Sequence, residues 1–524
     1  MPQTEKATAP ATEHAENRTE VFAVHGADPE VLAYAMAKYS RSALSMKESL
    51  REISSQRAEQ FLNTFYFQYG HRSIADLAHV AFAVERLSLL AAIVLVDEQR
   101  WDGQERSTRY QNFSKSGWYL PEFGSAAAAR DAYCATINAL FEEYHATGER
   151  MLAALKRQVP RPETMKSEAY ERTLKARAFD VARYLLPLAT NTSLGQIVNA
   201  RTLETQVSRL LSQPHAEIRL LGERLRDAAA GAAWNVQEEA LAGLQREIAA
   251  LDPALGAKAA EILTRQVKVA PTLVKYAAEN AYQTETRREL EQAAAEILSG
   301  AAIEDMPVVD LVEPGESLEV ELAATLLYGA CAYPYRQIRR HVSGLSEARC
   351  EEIIDLGLRH RGRHDELLRE FSAGQALRFD ILMDIGGFRD MHRHRKCTQI
   401  LQPFTDRHGY EVPEGLEDAG LLPQYDRAML AAHQAFAELS RSAAPEAAAT
   451  AQYVLPLGTR TRALFKMDFA EALYIAELRS APQGHFSYRR VAWEMYQAVG
   501  RQHPSLAKYF RVADVTEPVD LLQR

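Results

Sequence analysis

At 524 residues the chain is too long for one ordinary core, which implies two or more domains. Its 47% apolar and 25% charged content is that of a globular protein in water. A formal net charge of −9 excludes the broad basic field of a general nucleic-acid binder, and leaves room for a local basic pocket that takes a phosphorylated small molecule. The four cysteines, Cys134, Cys331, Cys350 and Cys397, form no CxxC pair, which argues against a zinc knuckle or redox pair and suits a reduced, cytoplasmic setting. The first residues lack an apolar signal core, and the most apolar segment, Ala81 to Val96, is interrupted by Glu85 and Arg86. That segment is too short to span a bilayer, so no membrane association is expected.

Residues 1 to 20 are polar and rich in Pro, Ala and Thr, and read as a disordered tail. Order is expected from Val21, with a helix after Asp28 as N-cap and Pro29 at the first helical position. Residues 45 to 68 read as helical. In Gly70-His71-Arg72-Ser73, glycine permits a turn and Ser73 can cap a helix, with Asp76 at the capping-box position. Val80 to Val96 reads as a strand followed by a helix, a choice that periodicity does not settle. Helices are expected at 125 to 158 and 164 to 183, and the Ala-, Glu-, Leu- and Arg-rich stretch 215 to 269 is strongly helical by propensity.

An internal repeat organises the rest. Tyr453-Val-Leu-Pro456-Leu-Gly-Thr459 copies Tyr184-Leu-Leu-Pro187-Leu-Ala-Thr190, and His503 to Tyr509 copies Ala270 to Tyr276. Two domains follow, at 21–285 and 315–512, joined by a linker at 286–314. The first carries a helical insertion at about 220–265.

Two polar runs carry the candidate chemistry. Arg393-His394-Arg395 places two permanently charged planar donors and an imidazole within three residues, suited to a phosphate or an electron-rich planar group. Gln104-Glu105-Arg106-Ser107-Thr108-Arg109-Tyr110 is the second. Read singly, the first is a solvated basic turn and the second an ordinary surface run. His360 and His364 have a metal-compatible spacing, but Arg359, Arg361 and Arg363 would repel a cation, so no metal is expected.

Taken together the motifs resemble the flavin-dependent thymidylate synthases. Their signature is R-H-R followed by N-E-x-S-x-R-Y, with G-H-x-S/T before it and L-P, N-A-R and a further Arg after it. The first repeat has Gly70-His71-Arg72-Ser73, Gln104-Glu105-x-Ser107-x-Arg109-Tyr110, Arg183 before Leu186-Pro187, and Asn199-Ala200-Arg201, with Arg209 one residue early for the last Arg. In place of R-H-R it has Asp97-Glu98-Gln99. The second repeat keeps Arg393-His394-Arg395 and Arg479 but has lost N-E-x-S-x-R and N-A-R. Each repeat has therefore lost what the other keeps. A single reversed charge about 4 Å from its partner is worth about 4 kcal/mol near a surface, so carboxylates in the R-H-R place oppose its use for an anionic flavin.

The resemblance implies an α+β protein of two tandem domains, each a small mixed sheet with helices, helix-rich overall. It implies hybrid sites in which Arg393, His394, Arg395, His71 and Asn199 hold FAD. Glu105 and Ser107 would orient sugar and base, and Arg109, Arg183 and either Arg209 or Arg479 would take the nucleotide phosphate. Methylenetetrahydrofolate and NADPH would be co-substrates in one-carbon transfer to C5 of a pyrimidine nucleotide, dUMP or a relative, without a Cys nucleophile. A homodimer mimicking a four-domain assembly is expected. Three alternatives stay open: Asn199 as a helix cap, His71 as a helix-start residue, and Asp97-Glu98 as a solvated loop or a partner of Arg393 or Arg395. The competing function is a catalytically degenerate flavin- or nucleotide-binding protein with a structural or regulatory role.

Overall fold

The computed structural model describes residues 22, 24 and 26–522, except 39–44, 53–54, 64–71, 114, 314–316, 363–364, 366 and 372–375. The tail at 1–20 and His71 lie outside the described residues. So do positions 53–54 and 64–68 of the helix expected at 45–68, which is represented by Met46–Glu52 and Ser55–Leu62, and the Arg363 and His364 of the metal reading. A helix does begin at Pro29, and the Asp28 carboxylate is held by Arg265. A short 3-10 helix spans Arg72–Leu77, and Gly70, the expected turn position, lies outside the described residues.

Each repeat contributes one small sheet. In the first, β1 (His79–Ser88), β3 (Asn191–Asn199) and β2 (Asp102–Glu105) lie in that order. In the second the order is β4 (Val309–Leu311), β5 (Leu377–Asp384), β7 (Arg460–Met467) and β6 (Thr398–Leu401). Every pairing between these strands is antiparallel, so neither sheet is mixed. β1 does run into a helix, Leu89–Leu95, as the apolar segment allowed. β1 alternates in burial and bulges at Arg86. The second sheet is buried deeply enough to enclose charge. Lys466 and Arg378 both reach Glu321, and Arg462 and Tyr328 reach Asp380. Buried charges persist only when paired in this way.

The repeat extends to single hydrogen bonds. Ser88 caps the helix Leu89–Leu95 by accepting from the Ala91 amide, and Asp384 caps Ile385–Met391 by accepting from Gly387. Asn199 and Asp468 cap the helices after β3 and β7 by accepting from Thr202 and Glu471. The Leu89 and Leu90 amides donate to Thr190 and Leu188, and those of Ile385 and Gly386 donate to Thr459 and Leu457. The two Leu-Pro segments then bond to each other. Leu188 donates to Leu455 at 2.9 Å, and Leu457 donates to Leu186 at 2.9 Å, around a Pro187–Pro456 bridge. The larger hydrophobic cluster accordingly draws on both repeats, from Leu90 and Tyr184 to Ile385 and Leu457. This back-to-back junction fixes where the two half-motifs meet.

The stretch expected as a helical insertion contains the helices Ala216–Ala230, Glu238–Leu251 and Pro253–Leu263. The last two cross closely at Gly256, where a Cβ would fall 2.4 Å from Ala249. The stretch expected as a linker holds the end of the helix Ala281–Ile297, which packs on the second repeat's helices, and β4. Among the described residues no helix is long and apolar enough to cross a membrane, and no group of three or more His, Cys, Asp or Glu side chains is set to hold a metal.

Candidate functional site: an arginine cluster at the repeat junction

Asp97 follows the Ser88 cap by the same nine residues that separate Arg393 from the Asp384 cap. The loop after each capped helix is therefore equivalent, and the junction turns the two loops toward each other. Glu105, at the end of β2, accepts from Arg389 Nη2 at 2.6 Å, and both side chains are 9% exposed. Gln104 lies 3.5 Å from Arg393. Ser107 Oγ accepts from the Arg109 amide at 3.2 Å, closing the turn that sends Arg109 inward.

Arg109 is almost fully buried. It makes a two-point contact with Asp180 (Nε–Oδ1 2.8 Å, Nη2–Oδ2 3.3 Å) and donates to the Tyr488 hydroxyl at 2.8 Å. Burial works against its charge, but Asp180 more than compensates and raises its pKa. Arg183 stands three residues beyond Asp180 and is 2% exposed. Its Nη1 lies 3.5 Å from Thr108 Oγ1 and 3.5 Å from Asp390 Oδ2, while its Nε and Nη2 are buried without a partner. A Cβ at Gly386 would approach both of those nitrogens at 3.6 Å. Arg479 stacks over Tyr488 at 5.4 Å and donates from Nε to His394 Nε2 at 2.9 Å.

These groups converge on Asp390. Burial pushes its carboxyl upward, yet Arg183, Arg109, Arg479 and Arg393 together hold it below the usual carboxylate range. Two of those guanidiniums come from the first repeat and two from the second. Four guanidiniums stand against the carboxylates of Asp180 and Asp390, with the buried Asp384 carboxylate also acting on Arg183, so positive charge exceeds negative and the donors suit an anionic group such as a phosphate. Exposed Tyr110 and Tyr474 flank it, beside Arg109 and His394 respectively.

The other expected site residues are placed differently. Arg209 lies outside this cluster, bound to Glu98 at 2.7 Å and to the Val94 carbonyl at 2.8 Å. Asn199 spends its side-chain oxygen on the Thr202 amide as a cap. Arg393-His394-Arg395 does not present one common face. Arg393 is exposed, and His394 lies between Arg479 and Glu471. Arg395 donates to the Val96 and Glu98 carbonyls and lies over Trp101. Because His394 Nε2 accepts from Arg479, its proton sits on Nδ1, facing Glu471. Burial, the largest influence, keeps this imidazole below its ordinary pKa.

Asp97 pairs across the junction, though with other partners than Arg393 or Arg395, and Glu98 pairs within its own repeat. Asp97 takes Arg369 and His392, and Glu98 takes Arg209. Arg369 and His392 overcome the burial that would raise Asp97 and hold it well below the carboxylate range, whereas burial leaves Glu98 raised.

Beside these pairs opens a cavity of ≈ 1080 Å³, lined by residues of both repeats including Arg201, Arg209, Glu370, His392 and Gln402. Its volume lies just above the range of about 300–1,000 Å³ for small-molecule sites. The space between Trp101, Glu105, Arg389, Arg393 and Arg395 is only ≈ 10 Å³.

Sequence reasoning missed Arg389, Asp180, Tyr488 and Arg369 as members of the junction. Arg389 and Asp390 stood in the run leading to the R-H-R triad, and Asp180 one helical turn before Arg183. Nothing local marked Tyr488 or Arg369, whose partners lie 379 and 272 positions away.

The model of the family described as "Thymidylate synthase complementing protein" matches residues 22–233 and 311–505. A UPF0159 protein of Chlamydia pneumoniae is 27% identical over 546 residues, covering 96% of this chain and 93% of that protein. A flavin-dependent thymidylate synthase of Sulfolobus acidocaldarius is 34% identical over 122 residues, 22% of this chain and 46% of that one. Among solved structures, a flavin-dependent thymidylate synthase from Helicobacter pylori complexed with FAD and dUMP is 16% identical. It covers 38% of this chain and 89% of its own, with a TM-score of 0.26.

Proposed function

The chain belongs to the thymidylate synthase complementing protein family, in two matched segments, and on that premise we propose that it binds a pyrimidine nucleoside monophosphate at the junction of its repeats. The observation that carries this reading is the convergence of Arg109 and Arg183 with Arg393 and Arg479 on one carboxylate. Neither repeat holds the set alone. Arg479 rather than Arg209 shares the cluster, so the phosphate position combines the front arginines with a rear one. Glu105 and Ser107 lie beside it, where base and sugar would be oriented by hydrogen bonds. Purified protein should retain labelled dUMP in equilibrium dialysis and release it as salt rises, while deoxyuridine, which lacks the phosphate, should bind far more weakly. Equal retention of dUMP and deoxyuridine would remove the basis of the reading.

FAD tests less well against the residues present. Its pyrophosphate needs unmatched cations, but in the large cavity seven carboxylates face five guanidiniums, and Arg209 and Arg369 are already paired. In the R-H-R triad His394 and Arg395 are spent on protein partners, which leaves Arg393 as its one exposed member. These residues do not supply the unmatched cations that a dinucleotide pyrophosphate requires. The geometry supports best the reading of a nucleotide-binding member of the family without an intact flavin site.

A second reading, flavin-dependent transfer of a one-carbon unit to C5 of dUMP with methylenetetrahydrofolate and NADPH, is favoured by one feature. The cavity is large enough for a dinucleotide and has His392 in its wall, next to the triad. The visible spectrum decides between the two. Protein that carries one flavin per chain and releases tritium from C5-labelled dUMP would establish the second reading; colourless protein that resists reconstitution would leave the first.

A further inference from the structure

Asp390 is outnumbered in its own cluster. Asp180 occupies Arg109 through a two-point contact, which leaves Arg183, Arg393 and Arg479 around Asp390, with Asp384, itself bonded to Ser487 and the Gly387 amide, as the other carboxylate acting on Arg183. That carboxylate does not form a tight pair with any of them. Its contact with Arg183 is 3.5 Å, beyond the usual 2.7–2.9 Å of a charge-assisted hydrogen bond. Arg183 keeps two buried nitrogens without any acceptor. Asp390 is also 19% exposed, the most open side chain of the Arg109–Asp180 and Arg183–Asp390 pairs. A carboxylate that is central, weakly held and reachable from solvent stands where a better acceptor, with more oxygens and more charge, would satisfy the same donors more fully.

We infer that Asp390 is an internal stand-in for the ligand's phosphate, a counter-ion that keeps the arginine cluster together in the empty protein and that the bound anion displaces. The inference rests on the nucleotide reading above and adds a residue that sets affinity. Without ligand, the carboxylate offsets mutual repulsion among the guanidiniums, of which Arg109 and Arg183 are buried. With ligand, a phosphate dianion supplies more charge and more acceptor oxygens than the one carboxylate it replaces, and Asp390 turns out toward solvent. Asp390 therefore lowers affinity for the ligand and supports the fold in its absence. A group that merely helped to grip the nucleotide would act in the opposite direction.

The test is calorimetric titration of wild-type protein and Asp390→Asn with dUMP and, separately, with inorganic phosphate, paired with thermal melts of both. Asp390→Asn should bind dUMP and phosphate about tenfold more tightly. It should melt lower than wild type when empty, and phosphate should raise its melting temperature by more than it raises that of wild type. If the variant folds poorly at rest, the phosphate-dependent gain in melting temperature still reports the effect. Wild-type binding of dUMP with unchanged or weaker binding by Asp390→Asn would overturn the inference and leave the nucleotide reading standing. Failure of both proteins to bind dUMP would remove the reading and the inference together.

Discussion

Arg109 of the first repeat donates from Nη1 to the hydroxyl of Tyr488 in the second, at 2.8 Å and buried. The same ring lies 5.4 Å from the Arg479 guanidinium, so Tyr488 is the hinge on which front and rear cations are brought together. Tyr488→Phe keeps the ring and removes only the hydroxyl. Hydrogen bonds to charged groups contribute about 1.5–3 kcal/mol, and a loss of that size is expected in urea unfolding. An unchanged midpoint would show that Arg109 is held by Asp180 alone.

The pair between Glu105 and Arg389 joins the two half-motifs directly. Both members are nearly buried, and removing one partner of such a pair costs about 3–5 kcal/mol because it strands the other charge. Arg389→Met should therefore destabilise the protein strongly, and Glu105→Gln combined with Arg389→Met should recover most of the loss. Additive losses in the double variant would mean that the two side chains contribute independently.

Two partly buried histidines should make stability fall as the solution is acidified. Burial, aided by nearby arginines, pushes His215 and His408 down from 6.5 to about 4. Below pH 6.5 the unfolded chain takes up protons at these positions that the folded chain refuses, so stability rises with pH across this window. The contribution is complete above pH 6.5 and gone near pH 4, and is worth about 3 kcal/mol for each histidine. Urea midpoints between pH 4.5 and 7 should show the slope, and His215→Asn should flatten it. A profile identical to wild type in that variant would contradict the assignment.

Arg209 separates structural from ligand-binding arginines. It holds Glu98 and two carbonyls at the end of the helix Leu89–Leu95. Arg209→Ala should lower the melting temperature while leaving dUMP affinity within about twofold, since it stands outside the cluster on Asp390. A loss of affinity beyond about tenfold, the equivalent of 1.4 kcal/mol, would return it to the phosphate site.

The repeat was legible because short segments carry it: Tyr184 to Thr190 and Tyr453 to Thr459 hold the same backbone geometry, so the same residue types recur. The split of charge was legible too, with Asp97-Glu98 standing where Arg393-His394 stand. What those charges touch was not legible. Asp97 meets Arg369 and His392, and Arg109 meets Tyr488, contacts made across hundreds of residues by a junction that no local pattern encodes. Asn199 and Asp468 show the converse. Each occupies the cap position after a strand, where a short side chain satisfies a backbone amide, and that local requirement accounts for Asn199 without a ligand.

The central claim is that one phosphate-binding cluster is built from both repeats. Its most direct measurement is dUMP titration of wild-type protein, Arg109→Ala, Arg479→Ala and the double variant. One site per chain is expected, with a loss of at least about tenfold in each single variant, equivalent to about 1.4 kcal/mol, and a double-variant loss that differs from the sum. Two sites per chain, or full affinity in Arg479→Ala, would contradict it.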